Sequence, residues 1–140
     1  VLGRLAEGLS AAGATGSVGG HLPLVEEYRL SGEGIEELLF GQEIEGRDFW
    51  LSQSSWQQHR DPEGRVVHDG YALHAGLRSP ARGIGRTEGD SLCDRWSSPD
   101  PPVEICVAVF RVPPGAGRLR WGDYIMVTDI GPAPFRVVDR

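Results

Sequence analysis

The sequence predicts a mainly β fold: a small antiparallel β-barrel or strongly curled meander, with one short N-terminal helix covering an end. Three observations carry this expectation. Glycine and proline, at 20 and 10 residues in a chain of 140, break up long helices, and glycine runs at about twice its ordinary ~7%. Beyond Phe40 the apolar residues fall in strand-length segments separated by turn chemistry. Those segments follow one another at short spacing, which suits antiparallel neighbours, and closing them into a barrel removes the exposed edges. A chain of this length buries roughly two thirds of its unfolded surface, enough for one core.

Residues 1–30 read as a flexible or weakly helical arm or linker. Leu2, Leu5 and Leu9 recur at helical spacing, but Gly3, Gly8, Gly13, Gly16, Gly19 and Gly20 interrupt them, and each glycine costs a helix ~1 kcal/mol relative to alanine. Residues 31–140 read as a single barrel-like domain. It opens with the one expected helix. Ser31 is placed to cap it, Glu33, Glu36 and Glu37 lie toward its positive end, and Ile35, Leu38 and Leu39 share a face. Gly41 stands where a helix is left with φ > 0. Strands are expected around Glu43–Leu51, Ser55–Arg60, Arg65–Asp69, Tyr71–Leu77, Gly83–Thr87, Ser91–Trp96, Glu104–Val112, Asp123–Thr128 and Phe135–Val138. Between them stand the turns Asp61-Pro62-Glu63-Gly64, His68-Asp69-Gly70, Glu88-Gly89-Asp90, Pro113-Pro114-Gly115 and Gly131-Pro132. Ile105 to Phe110 is apolar on both faces, so that strand is central or covered by another layer. Gly83-Ile84-Gly85 leaves room for close packing.

Fourteen basic residues, all arginine, against twenty acidic ones give a formal charge of −6. The arginines are scattered, so the sequence shows no contiguous positive footprint of a nucleic-acid binder and no nucleic-acid partner is expected, although folding can still gather a few arginines. No apolar run approaches the length of a membrane helix, and no secretory signal pattern is visible. The first residue is Val1, as expected of a processed chain or an excised fragment. Cys93 and Cys106 flank a Ser-Ser-Pro-Asp-Pro-Pro turn. They are either a disulfide across neighbouring strands or a pair of free buried thiols.

Candidate chemistry is sparse. His21, His59, His68 and His74 lack the convergence of a zinc site, although His59 and His68 flank one turn and stand to face each other across it. Asp94 beside Cys93 disfavours a catalytic thiolate. Glu43 with Glu45, and Glu88 with Asp90, are the nearest approach to a hydrolase carboxylate pair. Residues 13–20 imitate a dinucleotide loop without its strand and helix. No catalytic residue, metal or cofactor is therefore nominated. The aromatics concentrate in the expected sheet, where a barrel of about eight strands either fills with side chains or holds one small ligand. Trp56, Tyr71, Arg86 and Trp96 are the candidate ligand-binding residues, suited to an anion with an apolar body if they converge. Phe49 and Trp50, adjacent on a strand, point to opposite faces, which leaves one ring for a protein contact.

From Ser31 onward, about three quarters of the chain resembles a poorly characterised family of small exported bacterial domains of unknown function. The resemblance lies in the helix ending Leu39-Phe40-Gly41, the Asp61-Pro62-Glu63-Gly64 turn before Arg65, and the run Gly83-Ile84-Gly85-Arg86-Thr87-Glu88-Gly89-Asp90-Ser91-Leu92-Cys93-Asp94-Arg95-Trp96. It ends with Cys106-Val107-Ala108-Val109-Phe110-Arg111. It departs from the pattern at Arg86, where an aromatic is expected, and in the insertion Pro113 to Gly122. The resemblance implies a lipocalin-like barrel, Cys93 paired with Cys106, and a periplasmic or secreted location, including as a module of a larger envelope protein; it brings no catalytic residues. The expected function is a non-enzymatic binding, sensory or structural accessory module, with an envelope protein or a small apolar or anionic ligand as candidate partner. The alternatives are a ligand-binding barrel cavity and a small hydrolase.

Overall fold

A computed structural model describes residues 17–18, 22–23, 26–47, 55–70, 80–97, 102–112, 122–129 and 131–138. Two short strands, β1 (Ser17–Val18) and β2 (Leu22–Pro23), form a separate antiparallel ladder. A single 3-10 turn at Glu26–Tyr28 leads to α1 (Gly32–Leu39). Eight strands follow: β3 (Gln42–Arg47), β4 (Ser55–Arg60), β5 (Arg65–Gly70), β6 (Ala81–Glu88), β7 (Ser91–Trp96), β8 (Val103–Arg111), β9 (Tyr124–Thr128) and β10 (Gly131–Val137). Each pairs antiparallel with the next, and β10 pairs back onto β3 to close a barrel. Among the described residues no helix is long and apolar enough to cross a membrane.

Alternation builds the wall. In β4 the residues read exposed, buried, exposed, buried, so Trp56, Gln58 and Arg60 point inward while Ser55, Gln57 and His59 point out. Pairing carries that parity round the barrel, because cross-strand partners share a face. Helix α1 closes one end. Ser31 Oγ accepts from Gly34 N at 3.1 Å as its N-cap, and Gly41 leaves it at φ 79°. Ile35 and Leu39 are driven into the core beside Ile44, Leu92, Val107 and Val109, worth roughly 1.5–3 kcal/mol each. The helix start is tied to the β6–β7 turn by Gly32 N donating to Asp90 Oδ1 at 3.1 Å. A Cβ on Gly32 would run into the Gly89 carbonyl, so this approach needs glycine.

The segment before the helix packs outside the wall. Leu30 N donates to Val109 O at 2.8 Å, Arg29 bridges to Phe110, and Tyr28 packs on the outer cluster of Phe110 and Ile125. This is the second layer that the two-sided apolar sequence of β8 demanded. Glycine opposite tryptophan fills the interior. Trp56 stands between Gly46 on β3 and Gly70 on β5, and Trp96 faces Gly83 on β6.

Two expectations need correction. Gly131-Pro132, read as a turn, opens β10, and Pro132 and Pro134 are both buried within it. Among the described residues β3 pairs with residues 135–137 of that strand, and β9 pairs with 131–135. Prolines at alternate positions put both missing donors on one and the same edge of the strand. His59 and His68 do not face each other: His59 pairs with Val67 and points out, whereas His68 pairs with Gln58 and points in. The expected strand at 71–77, and residues 48–51 of the expected first strand, lie outside the described residues.

Candidate functional site

The barrel interior has two levels. Beneath the helix, Arg60 and Asp94 form a bidentate ion pair, Nη1 to Oδ1 at 2.7 Å and Nη2 to Oδ2 at 2.8 Å, with both side chains almost wholly buried. The Phe40 ring lies over the guanidinium, 5.6 Å from its centroid. Gly85 makes the room, since a Cβ there would overlap Asp94 Oδ1. Asp94 therefore faces away from Cys93, its neighbour in sequence, and serves the interior.

At the other level sit Trp56, His68 and Trp96. The Trp56 and His68 ring centroids are 5.7 Å apart, and His68 meets Trp96 edge-on at 6.5 Å. Gln58 Nε2 lies 3.2 Å from His68 Nδ1, and Phe135 packs on Trp56 from the far side at 6.4 Å. Trp56, Trp96 and Phe135 have no more than 1% of their surface exposed, so rings occupy this level. Among the described residues the Trp56 indole N–H is buried without a hydrogen-bond acceptor. An unsatisfied buried donor of this kind costs about 1–3 kcal/mol.

The structure thus brings Trp56 and Trp96 together through His68, a residue the sequence reading did not nominate. Its signal was the alternation of Val66 and His68 on one strand. Arg86 is not brought to them. It lies on the outer face, where Nη2 donates to Glu88 Oε2 at 2.6 Å and Nη1 bonds Glu104 across β7. These bonds hold the Arg86 guanidinium well above its ordinary pKa, and the Arg86 hydrogen bond pulls the Glu104 carboxyl below its own. Tyr71, Phe49, Trp50, His21 and His74 lie outside the described residues. Cys93 and Cys106 are directly cross-strand on β7 and β8 and are joined by a disulfide.

The outer face of β5, β6 and β7 carries an arrangement that the linear sequence hides. Ile84 is 50% exposed. Its cross-strand partners are Arg65 on β5 and Arg95 on β7, and its same-face neighbours along β6 are Arg82 and Arg86. All four arginines are exposed, so an aliphatic residue on the outer face is flanked on four sides by arginine positions. Arg65 is held by Asp61, from Nε to Oδ2 at 2.8 Å, and by Glu63. Desolvation works against ionisation of Asp61, but the Arg65 backbone N–H and charge and the Glu63 N–H outweigh it and keep that carboxyl low. Arg95 makes no hydrogen bond or ion pair within contact distance among the described residues and acts on Glu104 only through its charge.

The nominated carboxylates Glu45, Glu88 and Asp90 have partners within the fold. Glu45 binds Arg136 at 2.6 Å, Glu88 binds Arg86, and Asp90 holds the helix start. Among the described residues no group of three or more His, Cys, Asp or Glu is placed to hold a metal. No family model, curated protein or solved structure matches the chain. What stands of the resemblance is the eight-stranded antiparallel barrel with a disulfide between adjacent strands.

Proposed function

We propose that this domain is a non-catalytic binding module, exported to an oxidising compartment, whose ligand is an acidic, extended segment of another protein. The observation that carries the reading is the half-exposed Ile84 enclosed by Arg65, Arg82, Arg86 and Arg95. Gathering four of the chain's 14 basic residues on one face works against stability, because like charges on neighbouring strands repel. The existing partners of Arg65 and Arg86 are surface carboxylates, and solvent-exposed ion pairs of this kind contribute little to stability. An incoming carboxylate can displace them at little cost and gain a bidentate geometry that arginine favours. Ile84 offers an apolar contact at the centre, with the arginines as a polar rim. The disulfide supports the exported location.

The test is fluorescence anisotropy with a labelled peptide in which glutamates flank a central leucine, beside its glutamine counterpart. The glutamate peptide is expected to bind, to weaken as salt rises, and to lose affinity with Ile84→Asp or Arg95→Glu while both variants keep the wild-type melting curve. Equal binding of the glutamine peptide, or wild-type affinity in Ile84→Asp, would remove the reading.

A second reading, a small ligand in the barrel, is favoured by the Trp56 N–H, which lacks an acceptor. It calls for an anion with an apolar body, and anilinonaphthalene sulfonate is a suitable probe. Saturable quenching of tryptophan emission that is lost in Trp56→Phe supports it; quenching that never saturates rejects it.

A further inference from the structure

The Cys93–Cys106 bond lies on the same outer sheet as the arginine square, yet neither the fold nor the binding reading uses its reactivity. Three residues form one row across that sheet. Arg86 on β6 is opposite Cys93 on β7, which is opposite Cys106 on β8. The two sulfur-bearing residues are not equivalent: Cys93 is 1% exposed, whereas Cys106 is exposed. The cause is visible. Arg86 and Glu104 stand on strands either side of β7, and their ion pair spans the strand that carries Cys93.

We propose that this disulfide is a thiol-exchange site for low-molecular-weight thiols, in which the incoming thiolate bonds to Cys106 and Cys93 is released. Exchange proceeds by attack in line with the S–S bond. For attack on Cys93 the nucleophile must arrive from the β6 side, where Arg86 sits with Glu88 and reaches over β7 to Glu104. For attack on Cys106 it arrives from beyond β8, away from that cover. Charge points the same way. The departing Cys93 sulfur is left as a thiolate beside a guanidinium, the surrounding that favours that form. Cys106 has Glu104 two residues away on its own face, so it is the poorer leaving group. Asp94, the acidic neighbour of Cys93 in sequence, is turned into the barrel and bonded to Arg60, so it does not oppose the thiolate.

The step balances. A thiol loses its proton to solvent, its thiolate forms a new S–S bond to Cys106 Sγ, and the Cys93–Cys106 bond breaks with its electron pair passing to Cys93 Sγ. No net oxidation occurs. A second thiolate attacking the mixed disulfide frees Cys106 and carries the oxidation away as the small-molecule disulfide. The product of the first step is an S-thiolated Cys106 and a β7–β8 pair without its covalent tie. This inference stands on the row geometry and is independent of the acidic-ligand reading.

The experiment uses the wild-type protein and reduced glutathione, quenched at short times with excess iodoacetamide and read by intact mass and peptide mapping. The expected result is an adduct that predominates on Cys106, with the alkyl label on Cys93. In Arg86→Gln, which uncovers Cys93 and removes the cation, the adduct is expected to spread to Cys93. The urea-unfolded protein, treated alike, establishes that both sulfurs react once the fold is gone. An adduct mainly on Cys93, an even split in the native wild type, or a native protein that forms no adduct under conditions where the unfolded chain does would each overturn the proposal.

Discussion

Removing Asp94 is the sharpest test of how this barrel is held together. In Asp94→Ala the Arg60 guanidinium stays behind with its side chain 3% exposed. Among the described residues Gly64 O is then its one acceptor, at the long distance of 3.5 Å. Two charge-assisted hydrogen bonds at 2.7 and 2.8 Å are lost, and an uncompensated buried charge remains. Breaking such a pair from one side typically costs ~3–5 kcal/mol, a large share of the ~5–15 kcal/mol that stabilises a domain. At this chain length the expected fall in melting temperature is about 10–15 °C. The double variant Arg60→Met with Asp94→Leu tests the logic, since replacing a buried pair by apolar groups is often neutral or better. Urea unfolding of wild type, both single variants and the double variant closes a cycle with an expected coupling of about 2 kcal/mol or more. A loss below about 1 kcal/mol in Asp94→Ala, or a double variant as unstable as the two singles added together, would mean that water reaches the guanidinium and that the pair is not a buried one.

Gly46→Ala should lower stability by roughly 1–3 kcal/mol, because the new Cβ overlaps the Trp56 ring and comes within 2.7 Å of Pro134 O; an unchanged urea midpoint would refute the glycine–tryptophan complementarity. Cys93→Ser should cost ~3 kcal/mol against the oxidised wild type, the entropy of a loop closed by residues 13 apart. With reductant present the difference should shrink to the small penalty of a buried hydroxyl, and an equal loss in both conditions would assign the effect to packing. Glu104 has its carboxyl held low by the Arg86 hydrogen bond, so what it contributes is present above the ordinary carboxylate pKa of ~4.3 and disappears as pH falls through its folded value. Urea midpoints of wild type and Glu104→Gln should therefore differ at neutral pH and converge in acid; a constant gap across the titration would contradict the ion pair.

Local chemistry made the wall legible. The Ser31 cap, the Gly41 exit, the Asp61 to Gly64 turn and the period-two alternation of β4 are each written in a few neighbouring residues, and all four appear where those residues place them. The Gly83-Ile84-Gly85 signal also held, although its meaning was only half visible. Sequence says that something approaches closely; only register says that Trp96 approaches at Gly83 and the Arg60–Asp94 pair at Gly85. β10 begins earlier than expected: Pro132 reads locally as a stop, whereas the strand carries it buried and paired with Val127 of β9. The candidate site was less legible for the same reason. Arg65, Ile84 and Arg95 are 19 and 11 positions apart in the chain, and nothing in their spacing says that pairing will set them side by side. Arg86 stands on the opposite side of the wall from Trp56 and Trp96, because its face depends on register, which its neighbours Gly85 and Thr87 leave undetermined.

The division of labour between the two faces explains why the outer one is the place to look for function. Inside, among the described residues, the large rings have a glycine or another ring against them, and the Arg60–Asp94 pair neutralises itself. An interior filled in that way resists rearrangement, because close-packed side chains have few alternative arrangements. A rigid wall is what a surface site needs, since residues fixed by a strand register lose little freedom when a ligand arrives. The row Arg65–Ile84–Arg95–Glu104 and the row Arg86–Cys93–Cys106 lie next to each other on that wall and share β6, β7 and β8. Arg86 and Glu104 tie one row to the other through their ion pair. A carboxylate that engaged Arg86 would compete with Glu104 for it, and drawing that guanidinium aside would uncover Cys93. The two surface sites are therefore coupled by geometry: a ligand on the arginine square should change how fast, and at which sulfur, the disulfide exchanges.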